Sequence, residues 1–172
     1  YLIVGGLGGL GLSIATWLVE RGARTLILTS RRSFPEPSTW CSEGHDSTTN
    51  DQIACIRSLE ESGATIHVMQ ADVTDFKRMA EVFTVMNDTL PPLGGIFHVA
   101  GITMPQLLLE TEASTLRAVM QPKVVGTWIL HQLSHKLSLD FFVAFSSISS
   151  VWGSGGLGSY AAIWVARDHL AS

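Results

Sequence analysis

Short apolar runs alternate with longer amphipathic ones along this chain. The runs 1–4, 25–29, 64–69, 95–101 and 139–145 are dense in Val, Ile, Leu and Phe, and each gives way to small or polar residues. Brief apolar runs bounded in this way read as buried strands. Between them, Ile14, Trp17 and Leu18 recur at helical spacing over 12–21, with Gly22 as the stop. Ile53, Ile56 and Leu59 share one face over 51–62, closed by Gly63. A third helix is expected over 76–86, where Thr74 or Asp75 can cap it and Pro91-Pro92 follow it. From Glu112 a helical region runs to about His135, with an interruption expected at Pro122. An Ala-rich helical pattern opens at Tyr160. Residues 33–50 are rich in Ser, Thr, Pro, Gly and Asp without periodicity, and predict a long, mobile surface insertion in which nothing explains Trp40. Strand and helix alternate, so the predicted fold is α/β: a Rossmann-like doubly wound parallel sheet flanked by helices.

Composition narrows the picture. The length of 172 residues fits one domain with a real core, and 46% apolar against 15% charged residues suits a largely buried sheet. A formal net charge of −4 argues against nucleic acid as a partner. No run approaches the ~18 apolar residues of a membrane span, and no basic segment precedes the first strand as in a signal peptide. Cys41 and Cys55 form no CxxC and predict free thiols in a reducing cytosol, hence a cytoplasmic protein. Both ends fall inside predicted elements, so 1–172 is expected to be a single domain truncated at both ends.

The chemistry gathers where strands end. Gly5-Gly6-Leu7-Gly8-Gly9-Leu10-Gly11 lies between a strand and a helix. Glycines there let the backbone approach a pyrophosphate, and the helix start offers unpaired N–H groups and a positive dipole end. After the second strand come Ser30, Arg31 and Arg32, with no acidic residue from 25 to 33 to take a ribose 2′-hydroxyl. A hydroxyl and two arginines suit a 2′-phosphate, which favours NADPH. Asp72 and Val73 follow the third strand; Asp72 can accept from an adenine amino group or serve only the turn. Ala100-Gly101 after the fourth strand leaves room for a cofactor ribose. Lys123 sits among Val119, Met120, Val124, Val125, Trp128 and Ile129, where an inward-facing lysine is rarely idle. His131 and His135 have zinc-helix spacing, but Gln132 replaces the general-base Glu and no third ligand is evident, so no metal is expected. After the fifth strand, Ser146 and Ser147 precede a Gly-rich segment and Tyr160. A strand-end hydroxyl and a helix-start phenol can converge on one carbonyl.

Taken in order, these motifs resemble the ketoreductase domains of polyketide synthases, within the short-chain dehydrogenase/reductase superfamily. The resemblance rests on Gly5 to Gly11, Asp72-Val73 with Asp75, and His98-Val-Ala-Gly101. Pro122-Lys-Val-Val-Gly-Thr-Trp128 with His131, Phe145-Ser-Ser147 and Tyr160-Ala-Ala162 complete it, so it spans essentially the whole chain. The animal-type fatty-acid synthase reductase is a near neighbour. The resemblance implies reduction of a β-ketoacyl thioester tethered to an acyl carrier protein, with other synthase domains in the same polypeptide. It implies Tyr160 as proton donor, Ser147 as the serine that holds the carbonyl, Lys123 as the catalytic lysine and Arg31 at the 2′-phosphate. It also implies that final strands and a substrate lid lie beyond Ser172.

Four features depart from the family pattern or refine it. Val4 replaces a usual Thr or Ser. Trp164 stands where an Asn supports the lysine and a water. Thr103-Met104-Pro105 replaces the Leu-Asp-Asp of reductases that make the D-hydroxyl, and Trp152 is the mark of the L-hydroxyl type. Two rival functions remain: a non-catalytic dinucleotide-binding scaffold, and a free-standing short-chain alcohol dehydrogenase. The second would carry its lysine four residues after Tyr160, where Trp164 stands.

Overall fold

The computed structural model describes residues 1–42, 44–153, 155–158 and 161. Five strands, β1 (Leu2–Val4), β2 (Thr25–Ser30), β3 (Thr65–Gln70), β4 (Gly95–His98) and β5 (Phe141–Ala144), form one sheet in the order β3-β2-β1-β4-β5. Every pair is parallel. The order reverses direction at β1, where β2 leaves to one side and β4 to the other, and ligands of such sheets bind at the C-terminal strand ends beside that reversal. The register aligns those ends. Val4 pairs with both Thr29 and His98, Thr29 pairs with Met69, and His98 pairs with Ala144. One row therefore crosses the whole sheet, and the five exit segments leave it at one edge.

Strand side chains alternate between faces, and each face buries its own core. Leu2, Val4, Ile27 and Ile96 pack with Met79, Val82, Phe83 and Met86 of α3 (Phe76–Thr89) and with Ile129 and Leu130 of α4 (Ala113–Ser134). Ile3, Leu26, Leu28 and Phe97 pack with Ile14, Ala15 and Leu18 of α1 (Gly9–Glu20) and with Ile56 and Leu59 of α2 (Ser47–Glu61). Apolar burial on both faces is what a doubly wound sheet requires, and it drives the assembly. No helix among the described residues is long and apolar enough to cross a membrane.

Three elements differ from expectation. The first helix begins at Gly9 rather than 12, so the glycine run forms its opening turn. The second begins at Ser47 rather than 51, because Asp46 caps it by accepting from the Thr49 amide at 2.7 Å. That bond holds the Asp46 carboxyl below its ordinary pKa. The cap thus adds stability above the ordinary value and loses it as pH falls through the folded one. Third, α4 runs unbroken through Pro122. Val119, Pro122, Gly126 and Leu130 are buried on its inner face, and this packing holds a helix that propensity alone would break.

The segment before α2 is not featureless. It contains a short 3₁₀ turn, Pro37–Thr39. The indole of Trp40 donates to the Pro35 carbonyl at 2.8 Å, stands edge-on to Phe34 and carries the Arg57 guanidinium over its ring. Phe34 and Trp40 are half-buried and pack this loop against the core on the α1 and α2 face of the sheet. Cys41 and Cys55 are both free thiols.

Candidate active site

The glycine run divides into glycines that close the fold and glycines that face open space. The Gly5 and Gly6 amides both donate to the Thr29 carbonyl, at 3.0 and 3.1 Å, which pins the β1 exit to β2. Gly5 has φ +84°, and a Cβ there would stand 2.8 Å from the Ala100 backbone. A Cβ on Gly6 would meet Leu28 at 2.8 Å, and one on Gly11 would meet the Gly5 carbonyl oxygen at 2.6 Å. These three let β1, β2, β4 and α1 close on one another. Gly8 is less tightly confined, and Gly9 has nothing within 4 Å of a Cβ position. Gly8 is the N-cap residue of α1 and makes no side-chain cap. The helix start is left with N–H groups and a dipole end able to take an anion.

A cavity of about 320 Å³ opens at this sheet edge. Gly5, Leu7 and Gly8 line it from the β1 exit, Ser30, Arg31 and Arg32 from β2, Val73 after β3, and Ala100 and Gly101 from β4. Gly6, Gly9, Leu10, Gly11 and Asp72 do not line it. Gly6 and Gly11 are packing residues, and Leu10 is exposed. Asp72 is engaged in its turn: one carboxylate oxygen accepts from the Thr74 amide at 2.9 Å and from the Thr74 hydroxyl at 2.8 Å. Asp75, not Thr74, caps α3, accepting from the Arg78 amide at 3.0 Å.

The β2 exit is held by its neighbours. The Ala71 amide donates to the Ser30 carbonyl at 2.9 Å, and Gln70 donates to the Arg31 carbonyl at 3.2 Å. The lining residues include two arginines and no carboxylate. Gln52, on α2, was not foreseen. It lines the cavity and donates from Nε2 to the Leu7 carbonyl at 2.8 Å, bracing the glycine turn. Its partner is 45 residues away in sequence, so no local pattern marks it.

On the other side of the reversal, the Val99 and Ala100 amides both donate to the Val4 carbonyl, at 3.0 and 2.8 Å. Gly101 makes room for Lys123: a Cβ there would collide with the lysine's Cε. Lys123 is buried on α4, beside Pro122, which lines the cavity. At the β5 exit, Ser147 is half-buried, and its Oγ accepts from the Ser149 amide at 3.2 Å. Ser146 is exposed. Trp152 ends the short helix α5 (Ser149–Trp152) and is 82% exposed. Tyr160 and Trp164 lie outside the described residues. At the end of α4, Trp128 stacks on His131 at 5.6 Å, and His131 stands tilted beside the C-cap His135 at 6.2 Å. Among the described residues no three His, Cys, Asp or Glu side chains converge as a metal-ligand set.

A doubly wound parallel sheet whose glycine turn, basic β2 exit and β4 exit share one cavity defines a nucleotide-binding domain of the Rossmann type. The comparisons with known proteins narrow that class. The sequence profile described as KR domain matches residues 1–172, and the chain belongs to this ketoreductase family. A 6-methylsalicylic acid synthase of Arthrobotrys oligospora is 43% identical over 164 residues, which make up 94% of this chain and 9% of that protein. The 6-methylsalicylic acid synthase of Penicillium patulum is 39% identical over 173 residues, 100% of this chain and 10% of that protein. Among solved structures, a ketoreductase domain from the bacillaene assembly line superposes with a TM-score of 0.83 at 30% identity, covering 99% of this chain and 40% of that one. A-type ketoreductases from a modular polyketide synthase superpose at 0.81 with 34% identity, covering 99% and 33%. The chain spans about a tenth of the length of the curated relatives it matches.

Proposed function

We propose that this chain carries the NADPH-binding and catalytic residues of a reductase that converts a β-ketoacyl thioester, held on an acyl carrier protein, to the β-hydroxyacyl thioester within a polyketide synthase. The observation that carries the reading is a shared cavity: the glycine turn at the head of α1, the Ser30-Arg31-Arg32 exit and the Gly101 exit beside Lys123 border one space at one sheet edge. The large synthases among its relatives support the multidomain setting, with other synthase domains in the same polypeptide.

The residues present fit a phosphorylated dinucleotide. Gly8 and Gly9 leave the α1 start uncovered, and the lining offers arginines without a carboxylate. Bound NADPH would supply the hydride. The α1 N–H groups would hold the pyrophosphate, and Ser30 with Arg31 the 2′-phosphate. Ser147 would donate a hydrogen bond to the substrate carbonyl, where negative charge grows during reduction, and Tyr160 would donate the proton. An ordinary phenol has a pKa near about 10. The Lys123 ammonium would favour the phenolate left behind and so ease the proton's departure.

Cofactor choice gives a direct check. Arg31→Asp is expected to lower the preference for NADPH over NADH, read as the ratio of kcat/KM values, by about 10- to 100-fold, the worth of a charge-assisted hydrogen bond. An unchanged ratio would remove Arg31 from the phosphate site. Activity itself is tested by the loss of NADPH absorbance with a β-ketoacyl thioester.

A further inference from the structure

His98 is the one completely buried histidine among the described residues, and the chemistry above gives it no part. It ends β4, in the register row between Val4 of β1 and Ala144 of β5. Its Nε2 lies 2.9 Å from the Pro122 carbonyl oxygen on α4, 24 residues away. A carbonyl only accepts, so Nε2 carries the hydrogen. The residue after Pro122 is Lys123, and the Pro122 carbonyl and Lys123 N–H belong to one rigid peptide unit. The bond from His98 therefore fixes the plane from which the lysine side chain springs.

Local features converge on the same unit. Proline has no N–H, so the Ala118 carbonyl one turn earlier loses its helix partner and this stretch of α4 is held less firmly by its own backbone. The Thr127 hydroxyl donates to the Lys123 carbonyl, which holds the next peptide unit. Gly126 permits the approach: a Cβ there would meet Val73 at 2.8 Å and His98 Nε2 at 3.4 Å. Gly101, three residues beyond His98, clears the space that the lysine's end occupies.

We propose that His98 is a positioning residue that fixes the Lys123 backbone to β4 through the Pro122 carbonyl. The proposal rests on the catalytic role given above to Lys123. Gln can place its Nε2 where the His98 Nε2 stands, whereas the amide of Asn falls short of it. The test uses the full chain carrying His98→Gln, His98→Asn, His98→Leu or Lys123→Met, with turnover per folded molecule, substrate KM and thermal midpoint measured for each. His98→Asn and His98→Leu are expected to lose about 10- to 100-fold in kcat, as misplaced catalytic groups do, with KM little changed, while His98→Gln recovers most of the rate. Lys123, buried in the native protein, is also expected to react faster with an amine-acylating reagent in His98→Asn than in His98→Gln, read by mass spectrometry. Should His98→Leu fail to fold, the Gln and Asn pair decides. Equal kcat and equal labelling in that pair, with Lys123→Met inactive, would overturn the proposal alone. Lys123→Met turning over like the native protein would overturn the lysine's role and the proposal with it.

Discussion

Tyr160→Phe is expected to lower turnover about 10²- to 10⁴-fold, the usual worth of a positioned general acid, while leaving NADPH affinity nearly unchanged. The substitution removes one hydroxyl and keeps the ring, so it removes the proton donor with little change in bulk. Ser147 would still donate to the carbonyl oxygen, and preorganised donors of this kind sustain part of the acceleration, so residual turnover is expected. Lys123 could no longer act through the phenol, and Lys123→Met added to Tyr160→Phe should cost far less than it does alone, because the two residues act as a unit. Single-turnover kinetics and a fluorescence titration of NADPH check both halves. Preserved turnover would take Tyr160 out of the chemistry, and a large fall in affinity would make it a cofactor ligand instead.

Gly5→Ala is expected to destabilise the fold by about 2–5 kcal/mol, from the positive φ and from overpacking together. The two costs have separate sources. The residue's φ of +84° is one that L side chains rarely adopt. The new methyl would also stand 2.8 Å from the Cα and N of Ala100, backbone atoms that cannot rotate away. The strain separates the β1 exit from the β4 exit, which are two of the walls of the cavity, so dinucleotide affinity should fall with stability. Gly9→Ala is the paired control. Its Cβ would meet nothing within 4 Å, and alanine is the better helix former. Its stability should be unchanged or slightly raised. Denaturant midpoints for the two variants decide the matter: equal stability would mean that the Gly5 approach to Ala100 is not a structural requirement. A loss of this size is serious in a domain whose total stability is expected to be about 5–15 kcal/mol.

The strands and most of the helices were legible because continuous apolar runs and helical periodicity report burial directly. The glycine run was legible as a turn, but the separate duty of each glycine was not. Gly6 is confined by Leu28, Gly5 by Ala100 and Gly11 by the turn's own carbonyls, and sequence spacing does not show which atoms will be close. The start of α2 was missed because Ser47-Thr-Thr-Asn are weak helix formers, although Asp46 was the available signal. Pro122 reads as a break because the local rule is sound in isolation, and here tertiary packing overrides it. Asp72 reads equally as an adenine contact or as turn chemistry, and its bonds to Thr74 supply the turn. Gln52 could not have been found, since its role exists only once α2 lies against the glycine turn.

His98 was visible as one letter of a motif, but its bond to the residue before Lys123 emerged only from the contact between β4 and α4. Gly101 clears the space that the lysine's end occupies, and Gly126 lets α4 approach Val73 and His98. The β4 exit therefore both borders the nucleotide cavity and anchors the residue proposed to tune the proton donor.

The reaction proposed for this chain is the reduction of a β-ketoacyl thioester by NADPH. It is tested most directly by supplying the full chain with NADPH and a β-ketoacyl thioester and following the fall in NADPH absorbance while the β-hydroxy product is identified by mass spectrometry. Stoichiometric cofactor loss and product formation, both abolished in Tyr160→Phe, is the result expected. Measured NADPH binding with no turnover of the thioester would contradict the account.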